Sequence, residues 1–187
     1  MKLFLFTLTL FGLTFVSKAQ DTSVEKSTSG IQIGFLGIWA HNEAKLANKM
    51  VLRSELGFDS GIYGGGLYHE TGFLMSPVLT LEPKWYYNLT KRSSKSKRIS
   101  GNSGNFISLK SSYNPNWFVI SNYEDIRVVN KISIIPTWGI RRSIGEHFNY
   151  ETGIGLGYRY AYANRERYIK YGIEAALNLH LRIGYQF

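Results

Sequence analysis

Strict two-residue alternation of apolar and polar side chains constrains this chain most. It is cleanest near the C-terminus. Ile173, Ala175, Leu177, Leu179, Leu181, Ile183, Tyr185 and Phe187 alternate with Glu174, Ala176, Asn178, His180, Arg182, Gly184 and Gln186. A period of two puts successive side chains on opposite faces of an extended strand and cannot form the single apolar stripe of a helix. The pattern recurs. Over 49–59 Met50, Leu52, Leu56 and Phe58 oppose Val51, Arg53, Glu55, Gly57 and Asp59. Over 78–88 Leu79, Leu81, Pro83, Trp85 and Tyr87 oppose Thr80, Glu82, Lys84 and Tyr86, and 130–142 sets Ile132, Ile134, Pro136, Trp138 and Ile140 against Ser133, Ile135, Thr137, Gly139 and Arg141. The chain is therefore expected to be all-β, built from antiparallel neighbours joined by short turns.

The segment FNYETGIGLGYRYAY, 148–162, carries Gly153, Gly155 and Gly157 and superficially suggests a nucleotide-binding loop. A dinucleotide fingerprint needs the spacing G-x-G-x-x-G at a tight turn opening a helix. Here Phe148, Tyr150, Ile154, Leu156, Tyr158 and Tyr160 continue a strand on both sides. The three glycines share the opposite face, where they leave room inside a narrow barrel.

Further strands are expected at 31–41 and 104–113, which makes seven. Closed single-chain bacterial barrels take an even number, so an eighth is expected, best placed at 116–122, with an extension at 24–30 as the second choice. The stretches NEAKLAN, DSGIYGGG, TKRSSKSKRISGNSG, NPNWFVISNYED, RSIGEH and ANRERY read as connections. No linker or second domain interrupts the pattern.

The first residues bear on compartment. Lys2, the apolar run Leu3–Val16 and the closing Ser17-Lys18-Ala19 have the form of an export signal cleaved after Ala19. That run is too short for a membrane-spanning helix, and nothing after it holds the roughly 18 apolar residues such a helix needs. Residues 1–19 are thus expected to be a signal, 20–30 a loose polar lead, and 31–187 one domain. There are no cysteines, so neither disulfides nor thiol chemistry contribute. The formal charge of +9 falls to +7 without Lys2 and Lys18. Basic charge with 15% aromatics would suggest nucleic acid in the cytoplasm. In an exported chain the expected polyanions are lipid phosphates or surface polysaccharide instead.

Alternation alone does not say which face is inside. Lipid is favoured by the width of the apolar faces and by aromatics near strand ends, namely Trp39, Trp85, Tyr87, Trp138, Tyr158, Tyr160 and Tyr185. The final strand LHLRIGYQF, with Tyr185 and Phe187, resembles the assembly signal of small Gram-negative outer-membrane β-barrels. LEPKWYYNLTKR and PTWGIRRSIGEHFNYETGIGLGY also look like strand–turn–strand pieces of that largely uncharacterised family. The resemblance implies an antiparallel transmembrane up-and-down β-barrel of about eight strands in the outer membrane. It implies recognition by the barrel-assembly machinery, contact with the bilayer and with lipopolysaccharide, and a monomeric state. The implied role is structural, surface-binding or porin-like passage of small solutes.

With that inversion, parity sends Arg53, Glu55, Glu82, Lys84, Lys110, Glu151, Arg159, Glu174, His180 and Arg182 to the lumen, with Arg141 near a rim. Mixed signs predict mutual pairing, since an unpaired buried charge costs several kcal/mol. The basic turn TKRSSKSKR offers Lys91, Arg92, Lys95, Lys97 and Arg98. It reads as a solvated turn, or as an anion-binding rim for lipopolysaccharide phosphates should it face outward. The aromatics Tyr113, Trp117, Phe118 and Tyr123 could stack on sugars or seat a partner. His41, His69, His147 and His180 are scattered and make no metal motif, so neither metal nor cofactor is expected. No nucleophile elbow is present. A lipid-modifying enzyme using Glu82 or Glu151 is one alternative, and a soluble periplasmic barrel carrying an apolar ligand is another.

Overall fold

The computed structural model describes residues 22–63, 72–122, 126, 128–162 and 172–187. The expected export signal, 1–19, lies outside them, as do His69 and Tyr123. Among the described residues nine strands form: β1 (Ser27–Gly34), β2 (Gly37–Ala47), β3 (Met50–Tyr63), β4 (Gly72–Tyr86), β5 (Asn105–Asn114), β6 (Ile120–Ser121), β7 (Lys131–Ile144), β8 (Phe148–Ala161) and β9 (Gly172–Gln186). One short helix, α1 (Leu89–Ser93), and a 3-10 turn at Ser100–Asn102 lie between β4 and β5.

All pairings are antiparallel. The sheet runs β3-β2-β1-β9-β8-β7-β5-β4, and β4 pairs back onto β3, so eight strands close in a ring. Closure gives every ring strand a partner on both sides, which matters for a chain this rich in β-branched and aromatic residues. β6 pairs only Ile120 and Ser121 with Met75 and Leu74 and is not part of the ring.

The eighth strand therefore comes from elsewhere than 116–122. The expected single strand 31–41 is two strands folded over a turn at Phe35–Leu36, with Gly34 opposite Gly37. The turn residues are apolar, so the apolar run passes over the reversal and conceals it. The polar lead is not loose either. β1 starts at Ser27, Val24 is buried, and the Val24 amide donates to the Asn48 carbonyl at 2.9 Å. DSGIY, expected as a connection, continues β3.

Three prolines lie within strands. Pro83 falls where the β4–β5 register is interrupted between Leu81 and Lys84, and Pro136 where the β7–β8 register is interrupted between Ile134 and Thr137. Each keeps its pairing with the other neighbour. A residue with no amide donor is thus accommodated on the side where no ladder bond is made.

Strand polarity defines two ends. One holds the start of β1, the end of β9, the turns 48–49 and 145–147, and the long 87–104 connection with its helix. The turn at 145–147 uses Gly145 at φ +60°, a left-handed position next to open space. An apolar cluster of Val24, Val51, Tyr86, Leu89 and Phe106, with Ile99 packed against it, closes this end. Tyr86 and Phe106 meet edge to face at 5.6 Å.

Candidate functional site

The interior of the ring is a charge network. Arg53 on β3 is its hub. Its guanidinium donates to Glu43 at 3.2 Å, to Glu151 at 3.3 Å, to Gln32 at 2.5 Å, and from Nε to Glu55. Lys84 on β4 reaches Glu151 at 2.7 Å, Glu43 at 3.6 Å and Glu82 at 3.7 Å. Arg141 on β7 bonds Glu43 at 3.0 Å, and Arg182 on β9 bonds Glu55 at 2.7 Å. Arg182 also stacks over the Trp39 ring at 3.9 Å, and Lys84 over Phe106 at 4.2 Å. Four carboxylates thus meet four cations, all essentially sealed from solvent. Such a cluster is tolerable only because each carboxylate has more than one donor; a half-paired network would be worse than an apolar core.

Neutral donors fill gaps. Gln32 donates to Asn149 at 3.0 Å, Tyr86 hydroxyl to Glu43 at 3.2 Å, and Ser108 hydroxyl to Glu82 at 2.6 Å. From outside the ring, Asn102 in the 3-10 turn inserts its side chain and donates to Glu43 at 2.7 Å. The Glu25 amide in turn donates to Asn102 Oδ1 at 2.9 Å. The 87–104 connection is therefore a stopper over the network.

Parity brought Arg53, Glu55, Glu82, Lys84, Glu151 and Arg182 together as expected. Arg141 differs: it is fully buried in the network rather than near a rim, because the stopper covers that end. His180 is nearly buried, with Nε2 3.6 Å from Glu151. Lys110 points inward and is half-buried but makes no ion pair among the described residues. Arg159 and Glu174 face each other across β8 and β9 at the opposite end, half-buried and exposed respectively, and belong to the mouth rather than the network. Glu43 was missed because NEAKLAN reads as a turn; in fact β2 runs through to Ala47, with a bulge at Leu46. Continuing the parity of Trp39 and His41 by one step would have found it.

The glycines of β8 serve two purposes. A Cβ on Gly153 would lie 2.6 Å from the His180 ring, so this glycine makes room for an inward side chain, as expected. On Gly155 and Gly157 a Cβ would lie 2.3 and 2.2 Å from carbonyl oxygens of Pro136 and Ile134. Those two admit the close approach of the neighbouring backbone, a requirement that side-chain parity does not reveal.

The basic turn is ordered. Arg92 donates to the Arg98 carbonyl at 2.8 Å, the Lys97 amide to the Arg92 carbonyl at 2.9 Å, and Leu89 anchors the helix in the apolar cluster. Lys91, Lys95, Lys97 and Arg98 remain exposed. At the other end Trp117 and Phe118 are exposed, and Phe118 packs on Phe58 at 6.0 Å.

Outside, the ring is apolar. Leu56, Leu81, Ile107, Ile134, Ile154, Leu177 and Leu181 are all exposed, and a depression of about 750 Å³ runs over outward side chains including Leu56, Leu79, Leu81 and Ile134. Near the stopper end lie Trp85, Tyr87, Trp138, Phe148, Tyr185 and Phe187. Trp138 Nε1 donates to Tyr87 Oη at 2.9 Å, and Tyr185 and Phe187 pack edge to face at 5.7 Å. No group of three or more His, Asp or Glu side chains among the described residues could hold a metal ion. No helix among them is long and apolar enough to cross a membrane. No family model, curated protein or solved structure matches the chain.

Proposed function

We propose that this chain is an integral outer-membrane β-barrel that anchors and presents surface loops and does not conduct. The observation that carries the reading is its inside-out polarity. Among the described residues, twenty polar or charged side chains are buried against nine apolar ones, while large apolar side chains on every ring strand face out. In water that arrangement would expose an apolar band far larger than a few hundred Å², the usual limit for a soluble monomer. In lipid it is the favoured one. The exposed aromatic groups near the strand ends match the interfacial girdles of such barrels; Trp39, expected among them, is instead buried in the interior beneath Arg182.

The interior argues against passage. Eight-stranded barrels have an interior wide enough only for side chains or one small ligand, and here Arg53, Glu43, Glu151, Lys84 and Arg141 occupy it, with Asn102 and the apolar cluster beneath. The same saturation argues against acid–base use of Glu82 or Glu151, both already held by cations. An apolar ligand carried inside is disfavoured because the buried inward side chains are mostly polar or charged. Two of the three connections at the stopper end are turns of two and three residues, against one of four, Phe35–Leu36, at the opposite end. Tight turns characterise the periplasmic side of these barrels, so the stopper faces the periplasm and the opposite loops face outward.

The test is fractionation followed by electrophoresis with and without boiling, then planar-bilayer recording. The expected outcome is recovery in the outer-membrane fraction, faster migration unheated, and no conductance steps. Recovery as a detergent-free soluble protein with no gel shift would overturn the membrane assignment. Stable unit conductance would overturn the sealed interior.

A further inference from the structure

The stopper end is strongly basic. The segments 22–26, 45–49, 87–104 and 142–147, which make up the stopper end, hold nine lysines and arginines against two acids. That is a net +7, equal to the net charge of the whole chain without Lys2 and Lys18. Nearly all the excess charge of the mature chain is thus gathered around the stopper.

The excess is displayed on a built surface. Arg92 is committed to the Arg98 carbonyl, and this bond, with the α1 turn and the buried Leu89 and Asn102, fixes the loop. Lys91, Lys95, Lys97 and Arg98 stand exposed on it, with no ion pair among the described residues. The loop begins just after Tyr87, whose hydroxyl accepts from Trp138 in the aromatic girdle. Under the membrane reading above, on which this inference rests, that girdle marks headgroup depth. The cations then lie at the level of lipid phosphates.

We propose that the stopper loop is an anionic-phospholipid-binding platform, its lysines and Arg98 engaging headgroup phosphates of the periplasmic leaflet. The tight turns beside it assign that leaflet rather than the outer one. Cations near an anionic surface each strengthen association about fivefold, and several carried on one fixed loop act together without a further cost for ordering the backbone.

The test uses the full mature chain in a non-ionic detergent, mixed with equimolar phosphatidylglycerol and phosphatidylcholine, repurified, and its bound lipid extracted. The expected result is phosphatidylglycerol enriched about fivefold or more at low salt, falling to near parity at high salt and in the variant Lys91→Gln/Lys95→Gln/Lys97→Gln/Arg98→Gln. Parity in the wild type, or enrichment unchanged in the variant, would overturn the proposal. Inorganic phosphate abolishing the enrichment would instead identify a free-phosphate site, and preference for lipid A would identify the outer leaflet; either result overturns the commitment to periplasmic phospholipid. The heat-dependent gel shift of each sample separates the two readings. A variant that keeps the shift and loses the lipid reports on the platform alone, whereas loss of the shift in the wild type means that the barrel reading itself has failed. Should the fourfold variant not fold, Lys95→Gln and Lys97→Gln singly are expected to give graded losses.

Discussion

At the scale of residues, Arg53 and Lys110 form a controlled comparison. Both are inward cations on ring strands, and parity predicts the same place for both. Arg53 binds four side chains, and removing it leaves Glu43, Glu55 and Glu151 short of a donor. Arg53→Met is expected to cost about 3–5 kcal/mol, read as a lower urea midpoint for loss of the folded form in vesicles. Lys110→Met removes no ion pair among the described residues, and is expected to cost far less than Arg53→Met. Equal effects would mean that the network is not where the stability lies. Gly139 makes a second contrast with Gly61. A Cβ on Gly139 would sit 2.3 Å from Phe106 Cζ and push that ring off Tyr86 and Lys84, whereas on Gly61 it meets only Leu74 at 3.7 Å. Gly139→Ala is expected to destabilise by about 1–3 kcal/mol and Gly61→Ala to be neutral or slightly stabilising, with the two denaturation midpoints as the measurement.

At the scale of elements, period two was enough to locate most strands and most of the network, because a one-residue slip would send every charge to the apolar face. What it missed has identifiable causes. The β1–β2 turn is built from Phe35 and Leu36, so apolar character does not drop where the chain reverses. Glu43 sits among Asn42, Ala44 and Lys45, letters common in turns, although it continues an inward face. The stopper is invisible to any periodicity: Asn102 acts from an irregular position with φ +58°, and its partner Glu43 is 59 residues away. Its energetics are testable through its anchor. Leu89 is completely buried in the apolar cluster, so Leu89→Ala is expected to cost about 2–5 kcal/mol if the loop is integral to the fold. It is also expected to make the loop a preferred site for limited proteolysis after Lys91, Lys95 or Lys97. A stable variant with an uncut loop would show that the stopper is held without its anchor.

At the scale of the whole molecule, everything proposed depends on the sheet closing, and closure is not equally secure around the ring. β3 and β4 pair over fourteen residues, but the first and last strands, β1 and β9, pair over only five, Gly30–Gly34 with Arg182–Gln186. That short seam holds back the buried network behind it, since Gln32 and Arg182 lie on its two sides. Opening there would hydrate charges whose mutual attraction depends on exclusion of water. The seam is also accessible to a clean experiment, because the chain has no cysteine to interfere. Ile33 and Ile183 are directly opposed across it and face outward, and opposed antiparallel positions lie within disulfide range. Ile33→Cys/Ile183→Cys is expected to cross-link on mild oxidation of the folded protein, tying residues 33 and 183 into one loop that migrates differently from the reduced form even after boiling. The locked seam is further expected to raise the temperature at which the folded form is lost. A pairing offset by one residue, Ile33→Cys/Arg182→Cys, puts one cysteine on the inner face and is expected not to cross-link. Failure of the aligned pair, with both single variants folded, would mean that β1 and β9 do not meet. The sheet would then be open, and its row of unpaired amides and carbonyls incompatible with a position in lipid.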